Sequence, residues 1–293
     1  MIVRTRFAPS PTGSLHLGHV LAARVAHDLA RRSPGGRFLL RHEDIDAPRV
    51  RDACYQEIET DLAWLGLHWD QTPLRQTTRT SAYDAALARL KNNGLLYPCF
   101  CTRREIQAEW AGMAAAPQGP EGPAYPGTCR KLTPALRQEK LNSGLPHAWR
   151  FDSQMAAALA GPLSFRDLRF GIIPVNPNRL GDVVLARKDI GTAYHLAVVV
   201  DDAFQQVTHV TRGEDLLPAT HVHSLLQALL GLPQPVYLHH PLVLDEFGKR
   251  LAKRCDSLSL ATLRQSGKTP ADVFALIAQT LQNCLSVLPM ERD

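Results

Sequence analysis

The stretch Arg6-Phe-Ala-Pro-Ser-Pro-Thr-Gly-Ser-Leu-His-Leu-Gly-His19 constrains the fold most, because it puts a strand end, a tight turn and a helix start in succession. Val3 and Phe7 suit a short strand, Pro9-Ser-Pro-Thr-Gly13 is turn chemistry, and Leu17, Val20, Leu21, Val25 and Leu29 keep a helical period. Ser14 reads as the N-cap. A helix starting there presents its first N–H groups and the positive end of its dipole beside His16 and His19, which makes an anion site. By spacing alone, the two histidines also suit half a zinc site, a helix cap or an ordinary surface pair.

Arg37-Phe-Leu-Leu-Arg-His42 reads as a second strand, followed by the acidic turn Glu43-Asp-Ile-Asp46 and a helix from Pro48 and Arg49 to about Leu65. Another helix is expected over Ser81 to Asn92, ended by Gly94. This alternation implies a parallel sheet with ligands at the carboxyl ends of its strands, where Ser10 and Glu43 lie. Residues 95–189 break the pattern. Ala114 to Gly127 is rich in Pro, Gly and Ala, and strand-like pieces near Trp149, Leu163 and Asp182 to Arg187 flank turns. They read as an insertion between two halves of a nucleotide fold. The sheet is expected to resume at Tyr194-His-Leu-Ala-Val-Val-Val-Asp-Asp202, with a strand from Val207 to Arg212, a helix near Thr220 to Leu230 and one or two helices in the tail. The division expected is a catalytic unit of residues 1–94 and 190–240, an insertion of 95–189 and a final segment of 241–293.

With 293 residues, 45% of them hydrophobic, the chain can bury a full core. Its first residues form no apolar leader and its apolar runs, such as Leu196 to Val200, are too short to cross a bilayer, so a cytoplasmic protein without a membrane partner is expected. A net charge of +5 fits a polyanionic partner without requiring one. The six cysteines follow no disulfide pattern, and Cys54 and Cys284 sit in helical patterns as core thiols. Cys99, Cys101 and Cys129 could hold zinc, although spacing alone slightly favours unliganded thiols.

Taken whole, residues 6–19 resemble the His-Ile-Gly-His signature of class I aminoacyl-tRNA synthetases, with His16-Leu-Gly-His19 in its place, and the preceding residues are similar to the glutamyl branch. The resemblance implies an α/β fold: a Rossmann-type parallel-sheet catalytic domain with a loop-rich, zinc-containing insertion and a short helical C-terminal segment. It implies that Arg6, Ala8 and Ser10 line the amino-acid site, that Glu43 receives the substrate ammonium, and that Tyr194 and Arg212 complete the pocket. His16 and His19 then stabilise the α-phosphate of ATP in its transition state, and Gly18 leaves room for the nucleotide.

A second family loop, KMSKS in shorthand, matches Gly248-Lys-Arg-Leu-Ala-Lys-Arg254 imperfectly. Arg250 replaces the first lysine, Ala252 replaces the serine, and Lys253 keeps the second. Arg250 and Lys253 are expected on the ATP phosphates, with Lys253 catalytic and Mg2+ accompanying ATP. Shortened glutamyl-synthetase-like proteins carry Cys-x-Cys followed by Tyr-x3-Cys, which Cys99, Cys101, Tyr125 and Cys129 match, implying one structural zinc ion. About forty residues follow the lysine loop, and no anticodon-binding module is expected in them.

The expectation is therefore activation of L-glutamate with ATP and transfer of the glutamyl group to queuosine in the anticodon loop of tRNA(Asp), by a monomer. Two alternatives stand beside it: a minimal synthetase charging the 3′ end of tRNA(Glu), and a non-catalytic RNA-binding or regulatory paralogue, favoured by the altered lysine loop. A zinc-dependent hydrolase is disfavoured because four protein ligands leave no open position.

Overall fold

The computed structural model describes residues 2–111, 118–119, 122–123, 125–187, 191–243 and 259–286. Arg250 and Lys253 lie outside the described residues, as does half of the stretch from Ala114 to Gly127. Strand β1 (Arg4–Phe7), helix α1 (Leu17–Arg31) and strand β2 (Arg37–His42) follow as expected, with β1 and β2 parallel and Phe7 opposite Leu40. The predicted apolar stripe of α1 is buried with Phe38, Leu40, Ile58 and Leu62 in one core. Helix α2 (Asp52–Trp64) leads to strand β3 (Leu74–Arg75), which extends the parallel sheet beyond β2, and helix α3 (Thr80–Asn92) ends at the left-handed Gly94.

The segment after Gly94 opens with β4 (Leu96–Cys99), α4 (Arg103–Ala111) and an antiparallel pair of β5 (Gln118–Gly119) and β6 (Gly122–Pro123). It continues through α5 (Pro134–Asn142), β7 (Ala148–Phe151) and α6 (Ser153–Ala160) to β8 (Ser164–Asp167), β9 (Gly171–Pro174), β10 (Val184–Arg187) and β11 (Gly191–Thr192). Strands β11, β10, β7 and β4 make an antiparallel sheet in that order. The β8–β9 hairpin leaves this sheet, because β8 runs parallel to β13 (Val236–His240), which itself runs parallel to β12 (His209–Gly213).

The segment from Tyr194 to Asp202 corrects the sequence expectation: it is not a strand but the start of helix α7 (Tyr194–Phe204). His195, Leu196, Ala197, Val198, Val199, Asp201 and Asp202 are all buried, so neither a strand nor a helix period is visible, and three consecutive valines imitate a strand. Helix α8 (Leu217–Leu229) packs on α7, and the tail folds into α9 (Leu260–Gln265) and α10 (Pro270–Leu285). Val273, Ile277 and Cys284 of α10 join the core formed by α1, and Cys54 and Cys284 are buried free thiols. Among the described residues, no helix is long and apolar enough to cross a membrane.

The two parallel halves meet along β1 and β12. There the Thr208 amide donates to the Arg4 carbonyl at 3.0 Å, and the Arg4 amide donates to Thr208 Oγ1 at 2.8 Å. The strand order β3-β2-β1 reverses direction at β12-β13, and such a reversal opens a crevice at the carboxyl ends of the strands.

Candidate active site

The turn after β1 forms one end of the crevice. Its helix is capped not by Ser14 but by His16, whose Nδ1 accepts the Gly18 amide at 3.1 Å, while His19 Nδ1 accepts the His16 amide at 3.2 Å. Leu15 is buried and its carbonyl accepts the Leu260 amide at 2.8 Å, which keeps the chain extended past the exposed Ser14 and moves the cap downstream. Because both rings accept at Nδ1, each carries its proton on Nε2, as a neutral donor.

The rings stack with centroids 3.9 Å apart. A Cβ on Gly18 would stand 3.0 Å from the His16 ring, so this glycine makes room for the His16 ring. A cleft of about 500 Å3 opens here, lined by Ser10, Thr12, His16, His19 and the tail residues Ser259 and Thr262. Arg51, which the sequence reading passed over, contributes a cation to the same lining.

Two arginine centres occupy the strand ends. In the first, Arg6 Nε donates to Asp202 Oδ1 at 2.9 Å and its Nη1 donates to the Thr211 carbonyl at 3.2 Å. Arg41, fully buried, donates to the same Asp202 oxygen at 2.8 Å and to Glu43 Oε1 at 3.2 Å. Burial opposes the charge on Asp202, but Arg6 and Arg41 outweigh it and hold its carboxyl below the usual carboxylate range. For Glu43, burial is the larger effect and pushes its carboxyl up against the pull of Arg41 and Arg6. The Glu43 amide donates to the Pro9 carbonyl at 3.0 Å, tying this acid to the histidine turn.

The second centre is Arg212, at the end of β12 and 6% exposed. Its Nε donates to His239 Nε2 at 3.2 Å, its Nη1 to His223 Nδ1 at 3.1 Å and to Tyr194 Oη at 3.5 Å, and its Nη2 to Thr220 Oγ1 at 2.6 Å. Behind it, His239 Nδ1 donates to Asp167 Oδ2 at 2.6 Å, and His223 Nε2 meets His195 Nδ1 at 3.1 Å. Burial, helped by the positive Arg212, pushes His195 and His239 down to about 4 and His223 well below its ordinary value, so all three are neutral at pH 7. Among the described residues, Arg212 pairs with no carboxylate.

The predicted pocket residues thus gather at one crevice, with Arg6, Glu43, Tyr194 and Arg212 buried or nearly so, Ala8 half-buried and Ser10 at the rim. Residues the sequence reading left out complete it: Arg41, Asp202, His223, His239, Thr220 and Asp167. Each is polar and buried, and their partners lie up to 196 positions away along the chain. The runs from Arg37 to His42 and from Tyr194 to Asp202 contained two of them, Arg41 and Asp202, but only the placement of α7 assigns Asp202 a partner.

A separate cluster lies where β4 meets the 3-10 turn Thr128–Lys131. The Cys99, Cys101 and Cys129 sulfurs lie within 4.8 Å of one another. Cys101 Sγ is 3.3 Å from Tyr125 Oη, which accepts the Cys129 amide at 2.9 Å. A hydrogen bond from the Cys99 thiol pulls the Cys129 thiol below its ordinary range, and the Arg150 guanidinium lies 3.8 Å over the Tyr125 ring. Three converging sulfurs and a phenol oxygen are a donor set that fits tetrahedral zinc.

Comparison with known proteins bears on this arrangement. The family described as "tRNA synthetases class I (E and Q), catalytic domain" matches residues 2–281. The glutamyl-Q tRNA(Asp) synthetase of Rhodobacter capsulatus is 50% identical over 279 residues, covering 93% of this chain and 99% of that protein. The protein of the same name from Nocardia farcinica is 47% identical, covering 94% of this chain and 84% of that one. Among solved structures, the glutamate-tRNA synthetase of Elizabethkingia anophelis superposes with a TM-score of 0.73 at 32% identity over 87% of this chain. The chain spans about half of that structure, 53% of its length. The chain belongs to the class I tRNA synthetase family, as a catalytic domain of the glutamyl and glutaminyl type.

Proposed function

We propose that this chain activates L-glutamate with ATP and transfers the glutamyl group to a hydroxyl of queuosine in the anticodon loop of tRNA(Asp). In the first step the α-carboxylate of glutamate attacks the α-phosphorus of ATP, the bond to pyrophosphate breaks, and glutamyl-adenylate forms. In the second, the queuosine hydroxyl attacks the acyl carbon, loses its proton and releases AMP.

The observation that carries the substrate half is Arg212, a buried cation whose partners are neutral; Glu43, whose charge acts on the same Tyr194, has the sign an ammonium needs. Such a pocket takes an anionic side chain and discriminates against glutamine, whose neutral amide leaves the guanidinium without a counter-charge. His16 and His19, as Nε2–H donors at a helix start, suit the α-phosphate as it gathers charge. Arg250 and Lys253 are proposed for the outgoing phosphates, with Mg2+ neutralising them.

The acceptor half is supported by two relatives named for glutamyl-Q tRNA(Asp), each matched over nine-tenths or more of this chain. Zinc, held by Cys99, Cys101, Cys129 and Tyr125, would supply a structural cross-link to the insertion.

The proposal is tested by labelling tRNA(Asp) with radioactive glutamate, once with queuosine-containing and once with queuosine-free tRNA. Label is expected only on the queuosine-containing form. Equal labelling of the two, or label on the 3′ end of tRNA(Glu), would replace this reading with that of a minimal synthetase. Absence of glutamate-dependent pyrophosphate exchange without tRNA would remove the activation step.

A further inference from the structure

Arg212 lies inside a closed chain of hydrogen bonds whose proton positions follow from one fact: a guanidinium can only donate. His239 must therefore accept at Nε2 and hold its proton on Nδ1, where Asp167 receives it at 2.6 Å. Thr220 accepts from Arg212 at 2.6 Å and turns its own hydroxyl proton toward His239 Nε2, 3.0 Å away. His223 accepts at Nδ1, holds its proton on Nε2 and gives it to His195 Nδ1. All of these residues are 7% exposed or less. The other centre is built the opposite way, with Arg6 and Arg41 sharing the carboxylate of Asp202.

We propose that Asp167, His239, Thr220, His223 and His195 are positioning and specificity residues. They hold Arg212 rigidly through neutral acceptors, so that its positive charge stays uncompensated until a substrate carboxylate arrives. This deepens the glutamate-pocket reading and rests on it. Discrimination of glutamate from glutamine then depends on the neutrality of the cage as much as on Arg212. A carboxylate in place of His223, His239 or Thr220, the cage residues that touch the guanidinium, would hold it just as well and would cancel the charge that selects the substrate.

The test is an isosteric pair at His223. In both His223→Asn and His223→Asp an oxygen takes the place of Nδ1, and the two differ in charge alone. Glutamate and glutamine binding are measured by calorimetry, and the KM for ATP by pyrophosphate exchange. His223→Asn is expected to keep the preference for glutamate to within about threefold, and His223→Asp to lose about tenfold or more of it, with the KM for ATP unchanged in both. A folded His223→Asp variant with the wild-type preference overturns the inference, and so does a His223→Asn variant that loses as much as His223→Asp.

Asp167→Asn gives an independent arm. It replaces the acceptor at His239 Nδ1, turns the His239 Nε2 proton toward Arg212 and is expected to raise the KM for glutamate about tenfold without changing that for ATP. An unchanged KM for glutamate contradicts the inference. Wild-type protein that binds neither amino acid instead overturns the glutamate-pocket reading itself, and does so before any variant is made.

Discussion

Arg6 and Arg41, at the ends of β1 and β2, meet carboxylates; Arg212, at the end of the adjoining β12, meets a tyrosine, a threonine and two histidines. The residue type and the burial are the same, and the electrostatic outcome is opposite. The first centre is a neutralised strut that fastens α7 to the sheet, since Asp202 belongs to that helix. The second is a held cation with unspent charge. The contrast teaches that a buried arginine identifies an anion site only after its counter-charges have been counted.

The comparison breaks most easily at Asp202. Asp202→Asn leaves two buried guanidiniums short of a counter-charge and is expected to cost about 3–5 kcal/mol of stability, read as the denaturant midpoint and slope. The cysteine cluster offers a third arrangement, in which, under the proposed zinc binding, converging sulfurs would be matched by a cation from outside the chain. Cys129→Ser is expected to reduce zinc content from one ion per chain to none and to lower stability by about 3 kcal/mol, checked by metal analysis and denaturation.

The pH dependence of stability sharpens the contrast further. Asp202, with its folded value lowered, contributes stability that is present above its unfolded value and lost as pH falls through the folded one, below the usual carboxylate range. His195 and His239 titrate near 4 in the folded protein against 6.5 in the unfolded chain. Unfolding therefore takes up protons between these values, and stability falls as pH drops through that window. A loss of about 3 kcal/mol between pH 7.5 and pH 5.5 is expected in denaturation experiments at the two pH values. The smallest effect is expected at Arg212. Because Arg212→Gln removes a charge that nothing neutralises, stability should change by no more than about 1 kcal/mol, in contrast to the loss at Asp202.

Much of this site is legible in the sequence where function and local structure coincide. Arg6, Ser10, His16 and His19 share one strand-turn-helix, and Glu43 follows the next strand directly. What the sequence hides is long-range. Asp202 was visible as a residue but its run looked like a strand, because a helix buried on nearly every side shows no period. His239 and Asp167 sit on β13 and β8, 72 positions apart, and nothing local distinguishes them from surface polar residues. The cap at His16 was misplaced at Ser14 because Ser is the stronger capping residue by propensity, whereas the burial of Leu15 and the bond from Leu260 decide the helix start.

The most direct test of the central claim, that an uncompensated Arg212 reads the substrate carboxylate, is pyrophosphate exchange by Arg212→Gln with glutamate and with glutamine at matched ATP. The account predicts at least about a hundredfold loss in kcat/KM for glutamate, with the glutamate-to-glutamine ratio collapsing toward one. A ratio that stays at its wild-type value would contradict it.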